Sequence, residues 1–150
     1  MERTQQPDVE LPTLLRLARG GYGNTIARHL GAAGFDDLPR NGPFLIAALA
    51  AGRPSAELTR GLGVSRQAAS QLVDTLVLRG YLCREADPAD RRRMALRLTD
   101  RGSAAAAVIR AGTEEVDAAL ARMLSPAQLA GLRAGLVALG QIREQTEDDR

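Results

Sequence analysis

Apolar residues in the first part of the chain step by three or four: Leu11, Leu15, Ala18, Tyr22, Ile26 and Leu30. That spacing predicts an amphipathic helix, with Pro12 suited to its first turn. Gly20, Gly21 and Gly23 fall inside it. Each weakens a helix by about 1 kcal/mol relative to Ala, which suggests a bend or close packing. The loop GAAGFDDLPRNG, residues 31–42, breaks the pattern. Pro43 then opens a short apolar helix, FLIAALA, closed by Gly52, and a third short helix is expected after Pro54. Ser55 suits its cap, Leu58 and Leu62 its buried side, and Gly63 its end.

Ser65 caps the next predicted helix, which runs to about Arg79 and stops at Gly80. Tyr81–Glu85 and Arg93–Leu98 read as two short strands around the turn DPADRR. Thr99 caps a long helix with Asp100 in its first turn and Ile109, Val116, Leu120 and Met123 along it. The last helix starts at Ser125, where Ser125 and Gln128 match a capping box and Pro126 sits at the first position. Its stripe is Leu129, Leu132, Leu136 and Leu139. Residues 1–10 and the terminal REQTEDDR are polar and read as loose ends.

Composition agrees with a mainly α fold carrying one small β-hairpin. The 150 residues suit a single domain, and 45% are hydrophobic, enough for a core. Aromatics are only 3% and Trp is absent, so Leu, Val, Ile and Ala must build that core. The single Cys, Cys83, cannot form an intramolecular disulfide, and it is expected to be a buried structural thiol. A polar start, with no apolar run of spanning length, predicts a cytoplasmic protein without membrane contact. One His and one Cys, far apart, cannot supply three or four soft metal ligands. No G-x-S-x-G, Walker or G-x-G-x-x-G pattern occurs, so neither catalytic residues nor a cofactor is expected.

Charge adds a direction. Formal net charge is only +2, but residues 53–101 hold 10 Arg against 6 acids, and the rest of the chain 10 Arg against 12. The basic middle suits an anionic partner. Within it, SAELTRGLGVSRQAASQLVDTLVLRG, residues 55–80, makes a helix-turn-helix pattern. Ala69, Leu72, Val73 and Leu76 form the buried stripe of the second helix. Arg66, Gln67, Ala68, Ser70, Gln71 and Asp74 lie away from it. A polar face opposite an apolar stripe is also what any solvated helix shows. The hairpin that follows changes the balance. With the helix in a major groove, an Arg-rich tip lies over the adjacent minor groove, whose narrow form attracts Arg. Arg can fork onto guanine, Gln onto adenine and Ser onto phosphate or base, and the helix N-terminus suits a phosphate. Asp90 is spaced to pair with Arg92 and hold it outward.

The segment DRRRMALRLTDRG resembles the wing signature of the MarR family of bacterial transcription regulators, through Asp90, Arg91, Arg92, Leu96, Leu98, Thr99 and Gly102. VSRQAASQLVDTLVLRGYL is similar to that family's recognition helix, and the helix order matches along nearly the whole chain. The resemblance implies a winged helix-turn-helix lobe at 43–102, with dimerisation helices at 11–30 and 103–146. It implies a homodimer on a pseudo-palindromic operator in double-stranded DNA, acting as a repressor. It further implies contacts from Ser65, Arg66, Gln67, Ala68, Ser70, Gln71, Asp90, Arg91 and Arg92. Release of DNA by a small-molecule effector or by an oxidant belongs to many members. Tyr22, Arg28 and His29 are placed to line an effector pocket, or to be ordinary surface or core residues. The remaining alternative is a winged-helix module that binds protein without specific DNA binding.

Overall fold

The computed structural model describes residues 9–53, 63–87, 92 and 94–148, with side chains as far as Ile142. Helix α1 spans Leu11–Ala32 and α2 spans Gly42–Ala50. Helix α3 spans Arg66–Leu78, and strands β1 (Leu82–Ala86) and β2 (Met94–Leu98) follow it. Helices α4 (Asp100–Met123) and α5 (Pro126–Asp148) complete the described chain. The expected third short helix, at 54–62, lies outside the described residues. Two compact units result, residues 1–113 and 114–150. Among the described residues no helix is long and apolar enough to cross a membrane.

The helix ends follow local rules read from the sequence. Ser65 accepts a hydrogen bond from the Ala68 amide at 3.2 Å and so caps α3. Thr99 Oγ1 accepts from the Gly102 amide at 3.0 Å and caps α4. At α5 the capping box is complete: the Gln128 amide donates to Ser125 Oγ at 3.3 Å, and the Ser125 amide to Gln128 Oε1 at 2.8 Å. The C-terminal stops of α1, α2 and α3 share one device. Gly34, Gly52 and Gly80 take positive φ, and the residue after each donates back five positions, as Tyr81 does to the Leu76 carbonyl at 2.9 Å. This bond holds Tyr81 to the helix end, so β1 begins at Leu82 rather than at Tyr81. Among the described residues of the chain nothing packs closely on Gly20, Gly21 or Gly23, where an added Cβ would meet no atom within 4 Å.

The core of the first unit is aliphatic with one aromatic. Leu45, Ile46, Leu76, Tyr81, Leu82 and Ala105 are fully buried, and Leu30, Val73 and Ile109 nearly so. It therefore draws on the four described helices of that unit and on the first strand. Two glycines permit close approach around it. A Cβ on Gly112 would stand 3.1 Å from the Ile26 Cα, where α4 meets α1. A Cβ on Gly102 would stand 2.1 Å from the Tyr81 carbonyl oxygen. The same carbonyl accepts from the Thr99 amide and from Thr99 Oγ1, both at 3.1 Å, so α4, the hairpin base and the end of α3 meet at Tyr81.

Tyr81 also anchors a polar cluster. Its hydroxyl donates to Asp37 Oδ1 at 2.5 Å, and its ring packs 6.1 Å from that of Phe35. Arg101 lies over the Tyr81 ring at 4.3 Å, donates to Asp37 Oδ1 at 3.0 Å, and donates to the Arg79 carbonyl at 2.5 Å. Arg79 donates to the Asp37 carbonyl. The Tyr81 hydroxyl, helped by the Arg101 charge, holds the Asp37 carboxyl below its ordinary 3.8. Burial, and then the Asp37 carboxylate, push the Tyr81 phenol up to about 12 from 10.0. The ionised carboxylate thus favours the fold at all pH above 3.8, and that contribution disappears as pH falls through the lower folded value. The neutral phenol favours the fold below pH 10.0, and that contribution is lost as pH rises toward about 12. Urea midpoints measured against pH are therefore expected to fall at both extremes. Asp37→Asn should flatten the acid limb and shift the alkaline limb to lower pH. If that variant kept the parent's acid limb, the cluster would be excluded as its source.

Candidate nucleic-acid interface

The face of α3 is set by its period. Ala69, Val73 and Leu76 are buried and Leu72 is half-buried against the core, as the stripe predicted. Ser65, Arg66, Gln67, Ala68, Ser70, Gln71 and Asp74 are all exposed. At 100° per residue, Arg66, Gln67, Ser70, Gln71 and Asp74 fall within one sector of the helix opposite the stripe. Long donors and acceptors project there from a rigid element about the width of a major groove. Ser65 has a second duty: its oxygen is engaged by the Ala68 amide, which leaves the hydroxyl proton to donate outward.

The hairpin lies next to this face. β1 and β2 pair antiparallel from Leu82↔Leu98 at the base to Ala86↔Met94 at the open end. Arg92 is exposed in the turn between them. Asp90 and Arg91 lie outside the described residues, and so does the expected Asp90–Arg92 pairing. Along β1 only Leu82 is buried, and the residues from Arg84 onward are exposed.

Cys83 differs from its expected place. It is half-buried on the hairpin rather than a core thiol, with Sγ 3.8 Å from both Glu85 Oε1 and the Arg97 carbonyl. A two-stranded sheet covers only its inner face, and the alternation that buries Leu82 turns Cys83 outward.

Two polar links escaped the sequence reading. Arg84 Nη2 meets Asp74 Oδ1 at 2.5 Å and joins β1 to the exposed side of α3. The cluster of Asp37, Tyr81 and Arg101 clamps the end of α3 to the loop after α1. The only signal for the first was opposite charge on adjacent elements; the second joins residues 44 and 64 positions apart.

A shallow cavity of about 240 Å³ lies on the flank of α3, lined by Pro39, Asn41, Val64, Ala68, Gln71 and Leu72 among others. Tyr22, Arg28 and His29 do not line it.

Residues 44–93 match the model of the MarR family. The transcription regulator MarR from Oenococcus oeni PSU-1 is similar in structure, with a TM-score of 0.71 and 16% identity over 88% of this chain and 99% of that one. The MepR–DNA complex of S. aureus gives 0.71 and 18% over 89% and 98%. A probable transcriptional regulator from Pseudomonas aeruginosa gives 0.62 and 26% over 88% and 98%. No curated protein sequence matches the chain.

Proposed function

We propose that this chain, whose fold and central signature are those of the MarR family of transcription regulators, binds a pseudo-palindromic operator in double-stranded DNA as a homodimer. One observation carries the reading. A single exposed sector of α3 presents Arg66, Gln67, Ser70 and Gln71, beside a hairpin whose turn exposes Arg92. In this reading α3 enters the major groove, with Ser65 and Ala68 close to the backbone. The turn, with Asp90, Arg91 and Arg92, covers the neighbouring minor groove. MepR, a structural neighbour, has been solved with DNA, which supports DNA binding here.

Exposed apolar residues support the homodimer. On α1, Leu11 and Leu17 are 68% and 62% exposed, and on α5 Val137 and Ile142 are 61% and 59%. A single chain rarely leaves so many large apolar side chains in water. Repression is the form of regulation that occupancy alone produces, since it needs no contact with polymerase. A small-molecule effector that releases DNA completes the reading. Catalysis has no part in it. The second reading, a protein-binding winged helix, predicts no steep salt dependence on duplex DNA.

The experiment is titration of duplexes at several salt concentrations, with the mass in solution measured in parallel. The mass should be near twice 16.0 kDa. Log affinity should fall steeply with log salt. Arg92→Ala should weaken specific and non-specific binding alike. It should also make the slope shallower by about 1 per subunit for each phosphate that Arg92 neutralises in the parent. A monomer that binds duplexes without salt dependence would sink the proposal, and unchanged affinity and slope in the Arg92 variant would remove the wing from it.

A further inference from the structure

Asp74 sits on the same exposed sector of α3 as Arg66, Gln67, Ser70 and Gln71, so a negative charge stands on a face read here as meeting a polyanion. Its carboxylate is not left to repel. Arg84, in the middle of β1, meets it at 2.5 Å, the Arg84 side chain being 42% and that of Asp74 62% exposed. Arg84 faces Leu96 in the ladder, two positions from the Ala86↔Met94 pair where the hairpin opens into the turn that holds Arg92. The ties from Thr99 to the carbonyls of Gly80 and Tyr81 lie at the hairpin base. A two-stranded hairpin is marginal by itself, so a tie from the middle of β1 to α3 adds to what sets its lean.

We propose that Asp74 and Arg84 are positioning residues that fix the angle between α3 and the hairpin, so that the reading face and Arg92 meet one duplex together. The inference rests on the DNA-binding reading and deepens it. An exposed ion pair contributes little to global stability, so its effect belongs in binding, where a pre-set wing avoids an ordering cost on association.

Charge alone and positioning differ in sign. If each residue acted only through its charge, Asp74→Ala would tighten DNA binding and Arg84→Ala would weaken it. If the pair positions the wing, both weaken it. The test titrates the parent, Asp74→Ala, Arg84→Ala and the charge-swapped double variant Asp74→Arg/Arg84→Asp, each with and without Arg92→Ala. The probe is a duplex selected by the parent from random sequence. Both single variants are expected to lose affinity by about fivefold, the upper range for an exposed pair, with urea midpoints near the parent's. The loss caused by Arg92→Ala should shrink in either single variant and return in the swapped one. Effects of opposite sign, or an undiminished Arg92 effect, would overturn the inference while leaving DNA binding intact. A parent that binds no duplex would end both readings.

Discussion

Gly102→Ala is expected to destabilise the protein by about 3 kcal/mol or more, against the ordinary preference of helices for Ala. Gly102 lies in the first turn of α4, where Ala would otherwise gain up to about 1 kcal/mol. The added Cβ would stand 2.1 Å from the Tyr81 carbonyl oxygen and 3.1 Å from its carbon. Those are backbone atoms and cannot rotate away. To make room, α4 must leave the hairpin base, which breaks the bonds from Thr99 to the same carbonyl. Gly21→Ala is the control. It lies in α1 with nothing among the described residues within 4 Å of an added Cβ, and should stabilise by about 0.5–1 kcal/mol. Urea unfolding of the three proteins decides it, and a Gly102 variant as stable as the Gly21 variant would refute the close contact.

Gln67→Ala is expected to cost about 1–3 kcal/mol, roughly fivefold to over a hundredfold, on the best operator. Preference should relax at one base position. The side chain is exposed in the first turn of α3, two residues past the Ser65 cap, and its amide offers the paired donor and acceptor that match adenine. Being neutral, it contributes little to phosphate attraction, so non-specific binding should hardly change. A base-substitution series with the same profile for variant and parent would show that Gln67 reads no base.

What the sequence made legible was local. The caps at Ser65, Thr99 and Ser125 depend on neighbours three residues away, and each forms its expected bond. The buried stripe of α3 depends on helical period, and Ala69, Val73 and Leu76 follow it. Met123 does not: it continues the apolar spacing of α4 yet is 78% exposed, because period tells which residues share a face but not where a neighbour ends. The link from Asp37 to Arg101 spans 64 positions and exists only once the loop after α1 and the start of α4 converge on Tyr81. Arg84 and Asp74 are nearer in sequence, but their meeting depends on how the hairpin leans on α3. The face of α3 was therefore readable in advance, and the polar ties that orient it were not.

The placement of Tyr81 has an optical consequence. The chain has no Trp and only two Tyr, so half of its strong near-ultraviolet chromophores sit at one joint. There the phenol is buried, hydrogen-bonded to a carboxylate and covered by a guanidinium. A phenol bound to a carboxylate emits weakly, and release into water restores its emission. Any event that pries α4, the hairpin base or the loop after α1 from the end of α3 thus brightens the protein without a label. A Tyr22→Phe variant would make that signal report on the one joint alone.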